Sequence, residues 1–230
     1  DKTLHNGWGL AGNILISSSR SIAESSDPAS YSLRLKNDLQ LSSLFVPPAL
    51  RELARLLIDI GCIVFGDYKL KSGEASPFYV DLRRLTGHPT AFKMATDAMA
   101  AWINHIKPQA IAAIPMGGVP LASAASSRTM TPMCYVRDPK GYGTGRSIEG
   151  GVKDGSKILL VDDVITKGTS AFEVLPKLQD YRVQEMLVLI DRDAGGGKRL
   201  ANCNIKLNSV FQMENLLWFW YTENLIEQGD

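Results

Sequence analysis

Two adjacent carboxylates stand just ahead of a segment rich in hydroxyl groups and glycine, and together they could bind a phosphorylated ligand. Asp162 and Asp163 follow the apolar run Ile158 to Val161, and Thr166 to Ser170 come shortly afterwards. Unpaired backbone N–H groups at the start of a helix carry partial positive charge, and Thr and Ser hydroxyls add donors. The pattern predicts a phosphate-binding loop beside two acids, with a capped helix after an ordinary strand as the structural alternative.

Two further segments carry residues suited to a flat, anionic ligand. Phe78 and Tyr79 can flank a planar ring, and Lys71 can meet a negative charge. The segment Tyr135 to Gly150 contains four glycines among basic residues, which indicates a mobile loop that can bring positive charge to a ligand. The structural alternatives are a core aromatic pair and a solvated flexible turn.

The elements that must position these residues follow the pattern of an α/β domain. From Leu50 onward, short β-branched runs alternate with longer segments of helical period, which predicts a mostly parallel sheet flanked by helices. The predicted strands are Ala110 to Ile114, Met133 to Val136, Lys157 to Val161, Val183 to Ile190 and Ile205 to Phe211, and the predicted helices are Thr90 to Ile106 and Gly168 to Asp180.

The segment Phe65 to Leu82 differs, because polar turns separate short extended pieces, and it predicts an antiparallel hairpin. Residues 1–48 form a separate block with a predicted strand at Asn13 to Ile16 and a helix that begins after the N-cap Asp27. The pair Pro47 and Pro48 predicts a linker at the end of this block.

The composition limits the classes of function. The chain has 230 residues and a net charge of +1, which gives no broad attraction to nucleic acid or membrane. No apolar stretch approaches the roughly 20 residues needed to cross a bilayer. The three cysteines are far apart and form no metal-ligand cluster. We therefore expect a cytoplasmic protein without a nucleic acid or membrane partner.

The whole phrase from Ile158 to Ser170 resembles the motif with which type I phosphoribosyltransferases bind 5-phosphoribosyl 1-diphosphate (PRPP). The resemblance implies the type I phosphoribosyltransferase fold, a mostly parallel sheet flanked by helices with an N-terminal antiparallel hood. It implies that Asp162 and Asp163 bond the ribose 2- and 3-hydroxyls. It also implies that Mg²⁺ is held through PRPP, with these acids acting through water and no direct protein ligand. The residues that the resemblance assigns to the 5-phosphate are Thr166, Lys167, Gly168, Thr169 and Ser170, and Val164 and Ile165 are added as substrate-binding residues.

Three other segments resemble orotate phosphoribosyltransferases in particular, and each carries a family motif. These segments are Phe65 to Arg83 with K-S-G, S-P-F-Y and D-x-R, Tyr135 to Gly150 with the catalytic loop, and Leu189 to Asp193 with L-I-D-R. The resemblance implies an enzyme of UMP biosynthesis that makes orotidine 5-monophosphate and diphosphate from orotate and PRPP. The residues that it implies, besides the two acids, are Arg137 and Lys140 for catalysis, and Lys71, Phe78, Tyr79, Tyr142 and Arg192 for substrate binding.

The same resemblance implies a homodimer in which each catalytic loop covers the partner's active site. The sequence departs from the family at Asp138 and Pro139, where basic residues are usual, at Met116-Gly117 in place of an aromatic-Lys pair, and at Lys167 in place of a small residue. A PRPP-sensing regulator and a phosphoribosyltransferase for another base are the alternatives. Both have less need of the base-binding residues that this chain retains.

The phrase Gly12 to Ile22 resembles the last strand and phosphate-binding turn of an orotidine 5-phosphate decarboxylase barrel, in which Arg20 would grip the phosphate. The resemblance implies that residues 1–46 are the remnant of such a barrel and a linker, and that residues 47–230 are the transferase domain. The chain would then be the C-terminal part of a fused UMP synthase.

Overall fold

The computed structural model describes residues 46–69, 75–137 and 147–226, which divide between two compact units. The smaller unit contains the described residues up to Asp81 together with those from Gln212 onward, and the larger unit is Leu82–Phe211. Four predicted site residues lie outside the described residues: Arg20, Lys71, Lys140 and Tyr142. The predicted strand and helix of residues 1–48 also lie outside them.

The smaller unit is built from an antiparallel hairpin and two α-helices. The helices are α1 (Arg51–Asp59) and α6 (Met213–Thr222), and the strands are β1 (Ile63–Lys69) and β2 (Ala75–Val80). Ile63 pairs with Val80, and the register shifts between Phe65 and Tyr68. Gly66 lies within this irregularity with φ of 148°, a backbone conformation that favours glycine. The hairpin predicted over residues 65–82 is therefore confirmed.

Trp220 is the central side chain of the smaller unit. It is fully buried, and its indole Nε1 donates a hydrogen bond to the carbonyl oxygen of Ala54 at 2.8 Å. The ring of Phe65 meets it edge to face, with centroids 6.4 Å apart. The indole therefore joins α6 to both α1 and β1, and its only polar group has a partner.

The larger unit contains a six-stranded sheet in the order β5-β4-β3-β6-β7-β8. Strand β3 is parallel to both β4 and β6, and β6 is parallel to β7. Strand β5 is antiparallel to β4. The strands are β3 (Ala110–Ala113), β4 (Met133–Val136), β5 (Ile148–Glu149), β6 (Lys157–Ile165), β7 (Arg182–Asp191) and β8 (Lys206–Gln212). The helices are α2 (Pro89–Ile106), α3 (Gly118–Thr129), α4 (Thr169–Val174) and α5 (Gly196–Ala201).

The central strands consist of nearly continuous apolar residues because helices cover the parallel sheet. All of β3 is buried, and so are the middles of β6 and β7. The five predicted strands and the helix near Thr90 are confirmed with small shifts of their ends, and the mostly parallel α/β architecture is confirmed. Among the described residues, every helix is too short or too polar to span a lipid bilayer.

Two boundaries differ from the predictions. Strand β6 continues past Val161 to Ile165, so both acids lie within the strand. The helix predicted from Gly168 to Asp180 is instead α4, ending at Val174, followed by a 3-10 helix over Leu175–Leu178. Pro176 explains this break, since it lacks the N–H that a continuing α-helix requires.

We predict that replacing Trp220 by Phe lowers the free energy of unfolding by about 1–3 kcal/mol, because the bond to the Ala54 carbonyl is lost and the smaller ring leaves space. Urea denaturation followed by circular dichroism measures the change. Trp102→Phe is the control, since Trp102 is only partly buried in α2. Equal losses in the two variants would contradict the role assigned to the indole N–H.

Candidate active site

The two predicted acids lie near the carboxyl end of β6. Asp162 pairs with Val188 of β7 in the sheet register. The backbone N–H of Asp163 donates to Oδ1 of Asp162 at 2.9 Å, and that of Val164 donates to Oδ1 of Asp163 at 2.8 Å. These hydrogen bonds fix the carboxylates at the edge of the sheet where open α/β folds bind ligands.

Burial dominates the electrostatics of the acid pair. It raises the pKa of Asp162 well above its ordinary value, and the neighbouring charge of Asp163 raises it further. Burial also raises the pKa of Asp163, while bonds from Asp162 and backbone N–H groups and the charge of Arg83 act in the opposite direction. The ionised pair is poorly solvated, so hydroxyl donors or a cation from a ligand would stabilise it.

A turn after β3 packs directly against the acids. A Cβ atom on Gly117 would overlap the carboxylate of Asp163, and one on Gly118 would lie 2.7 Å from the carbonyl oxygen of Val161. The peptide bond between Pro115 and Met116 in this turn is cis. In the sequence Met116-Gly117 stood out only as a departure from the family, although two glycines after a strand are the signal of close backbone approach.

The predicted phosphate loop connects β6 to α4. Gly168 adopts the left-handed conformation with φ of 76°, and its carbonyl oxygen accepts the N–H of Phe172 at 3.0 Å. Thr169 and Ser170 are exposed on the first turn of α4, so their hydroxyls can reach a ligand. The strand, turn and helix therefore form the geometry that the sequence predicted.

Arg192 follows the end of β7 and lies beside this loop. Its backbone N–H donates to the carbonyl oxygen of Ile165 at 3.0 Å. Its guanidinium is partly buried, and burial lowers its pKa. The larger unit thus brings the acids, the phosphate loop and Arg192 together at the carboxyl edge of β6 and β7.

The two aromatic candidates lie in the smaller unit and face different ways, because adjacent residues of a strand point to opposite faces. Phe78 is buried, with its ring centroid 6.3 Å from that of Phe65. Tyr79 is exposed, and its ring lies 5.6 Å from that of Tyr68. Tyr68 was not among the predicted site residues; it pairs with Ser76 in the hairpin register, and its ring reaches that of Tyr79.

Arg137 is the last described residue before segment 138–146. Its side chain donates from Nε and Nη2 to Oε1 of Glu149 at 2.7 and 2.6 Å, and its backbone N–H donates to Ser147 at 2.9 Å. Sequence reasoning treated Glu149 only as part of a motif. In the structure Glu149 forms an ion pair with the Arg137 guanidinium that was predicted to be catalytic, and the two hydrogen bonds orient it.

The acid pair can serve a magnesium ion only together with other ligands. No cluster of three or more His, Cys, Asp or Glu side chains suited to a metal occurs in residues 46–69, 75–137 and 147–226. Mg²⁺ usually keeps several waters and takes one or two carboxylates plus substrate phosphate oxygens. Asp162 and Asp163 fit that indirect mode of binding.

Comparisons with known proteins agree with this geometry. The family model "Phosphoribosyl transferase domain" matches residues 84–215. The orotate phosphoribosyltransferase of Sulfolobus acidocaldarius is 32% identical over 182 residues, which are 78% of this chain and 92% of that protein. An orotate phosphoribosyltransferase from Mycobacterium tuberculosis, solved in complex with PRPP, has a TM-score of 0.61 at 26% identity, covering 74% of this chain and 99% of that one.

A larger protein also matches. The UMP synthase of Leishmania donovani has a TM-score of 0.72 at 31% identity, and the match covers 90% of this chain but only 46% of that protein. Residues 84–215, which the family model matches, contain the acid pair, the phosphate loop and Arg192. The chain belongs to the orotate phosphoribosyltransferases, within the family of phosphoribosyltransferase domains.

Proposed function

We propose that the chain transfers the ribose 5-phosphate of PRPP to orotate, which makes orotidine 5-monophosphate and diphosphate in the biosynthesis of UMP. One observation is the main support for this proposal. The acid pair at the carboxyl end of β6, of which Asp162 is buried and Asp163 partly buried, leads directly into the phosphate loop, in a chain 32% identical to an orotate phosphoribosyltransferase.

The acids and the loop hold opposite ends of the ribose phosphate. Asp162 and Asp163 accept hydrogen bonds from the 2- and 3-hydroxyls, and residues 166–170 bind the 5-phosphate. As the bond from C1 to the diphosphate breaks, positive charge develops on the ribose ring, and the nearby carboxylates stabilise it. Nitrogen N1 of orotate bonds to C1 and gives up its proton, which the diphosphate product or water accepts. The bonding pair of the broken C1–O bond leaves with the diphosphate.

Magnesium, when bound with PRPP, supplies positive charge that offsets the charge of the leaving diphosphate. Asp162 and Asp163 would hold it through water rather than as a complete protein site. Arg137 and Lys140 would add charge near the diphosphate. The ion pair of Arg137 with Glu149 supports a defined orientation for the first of these two cations.

Recognition of the base is assigned first to Arg192 of the larger unit. Arg192 pairs with the carboxylate that distinguishes orotate from uracil, because its planar fork can form two parallel hydrogen bonds. The family resemblance also assigns Lys71, Phe78, Tyr79 and Tyr142 to the base. Of these, Tyr79 has an exposed ring that could contact a ligand, whereas Phe78 is buried and would act by supporting the hairpin. A PRPP-sensing regulator or an enzyme for another base has less need of this set.

The proposal includes a larger assembly. The family resemblance supports a homodimer whose catalytic loops are shared between subunits. The match to the Leishmania UMP synthase covers 90% of the chain, against 74% for the Mycobacterium enzyme, and this difference supports a fused UMP synthase with residues 1–46 as a decarboxylase remnant. The cytoplasmic location and these domain bounds stay predictions.

We predict that the chain consumes orotate in the presence of PRPP and Mg²⁺ and leaves uracil essentially untouched. Arg192→Lys should lower kcat/KM for orotate by about 10- to 100-fold, since one charged hydrogen bond of the fork is lost. Spectrophotometry of orotate loss measures both, with uracil, hypoxanthine and adenine as alternative bases. Equal turnover of uracil and orotate would disprove the assignment.

Asp162→Asn should raise the stability of the folded protein at pH 8 and lower its activity. Burial raises the folded pKa of Asp162 above its ordinary value of 3.8, so ionised Asp162 lowers the stability of the folded protein as pH rises through the folded pKa. We expect the variant to melt at a higher temperature than the wild type at pH 8 and the difference to shrink towards pH 4. Its kcat should fall at least tenfold (~1.4 kcal/mol) because the carboxylate charge is lost. A variant that is less stable at pH 8 would contradict this account of burial.

Gly117→Ala should reduce turnover because the added methyl group must displace the Asp163 carboxylate. A displacement near 1 Å can cost about 100-fold in rate, and we expect a loss of about 10- to 100-fold in kcat. Gly151→Ala is the matched control, since an added Cβ there would meet no atom within 4 Å. Steady-state kinetics of both variants, with melting temperatures, provide the test. Unchanged kcat in Gly117→Ala would show that the acid is not held by this turn.

A further inference from the structure

Three successive carbonyl groups of the phosphate loop are held by one segment, residues 192–199, which we call the brace segment. It begins at the end of β7 and includes most of α5. The hydrogen bonds run from Arg192 N to Ile165 O at 3.0 Å, from Gly196 N to Thr166 O at 2.9 Å and from Arg199 Nη1 to Lys167 O at 2.5 Å.

These hydrogen bonds determine the direction in which the backbone N–H groups of the loop point. In a trans peptide the carbonyl and the following N–H point in opposite directions, and among the described residues the only cis peptide bond is Pro115-Met116. Carbonyls that face the brace segment therefore direct the N–H groups of Thr166, Lys167 and Gly168 away from it. That side of the loop is the one proposed for the 5-phosphate.

The third bond depends on a side chain, whereas the first two come from the backbone. The guanidinium of Arg199 also lies over the ring of Phe172, 4.3 Å from its centroid, which is a favourable cation–π arrangement. Phe172 belongs to α4, and its N–H donates to Gly168 of the loop. Arg199 therefore contacts both the loop carbonyl and the helix that follows the loop.

At Gly196 the brace segment packs directly against the loop. A Cβ on Gly196 would lie 2.5 Å from the carbonyl oxygen of Thr166 and 2.8 Å from Cδ1 of Ile165. The backbone of α5 thus approaches as closely as glycine allows. A change in the brace segment is consequently transmitted to the loop instead of being absorbed in a gap.

We propose that Arg199 is a positioning residue for the phosphate loop. It orients the Lys167 carbonyl so that the loop N–H groups bind the 5-phosphate that PRPP shares with orotidine 5-monophosphate. It acts through the loop and contacts no substrate. The proposal rests on the proposed function in one respect, the assignment of the 5-phosphate to this loop.

The test compares Arg199→Met, which removes the donor but keeps an unbranched apolar stem, with Lys198→Met, which removes one positive charge from the neighbouring exposed position. We expect Arg199→Met to raise the KM for PRPP and, in the reverse reaction, for orotidine 5-monophosphate by about 3- to 10-fold, the effect of one modest hydrogen bond. The KM values for orotate and diphosphate should stay within about twofold, because neither ligand carries the 5-phosphate. Lys198→Met should resemble the wild type.

Calorimetric binding of ribose 5-phosphate gives a readout that does not depend on turnover. It should weaken by the same factor in Arg199→Met, and Arg199→Lys, which keeps one donor, should recover most of the affinity. Unchanged binding in Arg199→Met, or an equal loss in Lys198→Met, would overturn the proposal. A wild type that binds ribose 5-phosphate but does not consume orotate would overturn the base assignment alone. If Arg199→Met fails to fold, Arg199→Lys and Lys198→Met still decide the question. A small rise in KM for PRPP and orotidine 5-monophosphate alone in Arg199→Lys, with wild-type values in Lys198→Met, would support the proposal. Wild-type KM values in both variants would overturn it.

Discussion

Two adjacent carboxylates near the end of a buried strand, one buried and one partly buried, are the constraint on which the larger unit depends. Asp162 is 7% exposed, and its charge is unfavourable there until a ligand supplies donors. The neighbouring turn must therefore be small enough to admit the acids, and Gly117 and Gly118 provide that space. In the proposed function the loop that follows supplies donors, since PRPP, the ligand proposed for the acids, also carries a phosphate.

The loop obtains its shape from residues distant in sequence. Ile165, Thr166 and Lys167 each direct a carbonyl to the brace segment, and the opposite side of the same peptides carries the N–H groups. An anion site of this kind needs fixed backbone dipoles more than it needs side-chain charge. The sheet holds the start of the loop, and the brace segment holds its middle.

The strands, the hairpin and the acid-loop motif could be predicted because they are local patterns of apolar period and turn residues. The end of β6 could not, because Asp162 and Asp163 are poor strand formers and only pairing with β7 keeps them extended. The contacts of Gly117 with Asp163 and of Arg199 with Lys167 join residues 46 and 32 positions apart, so no local pattern shows them. Phe78 and Tyr79 were predicted as a pair, but only the register of the hairpin separates the buried ring from the exposed one.

The departure from the family at Lys167 has a physical explanation in this arrangement. Its side chain is exposed, while its carbonyl oxygen is bonded to Arg199. A loop that binds through its backbone constrains the dihedral angles at this position much more than the identity of the side chain. Gly168 has no such freedom, because its φ of 76° is in the left-handed region. Gly196 is limited by its close approach to Thr166. The positions in and around the loop that tolerate no larger residue are therefore those where the backbone turns or two backbones meet, and a lysine between them is compatible with phosphate binding.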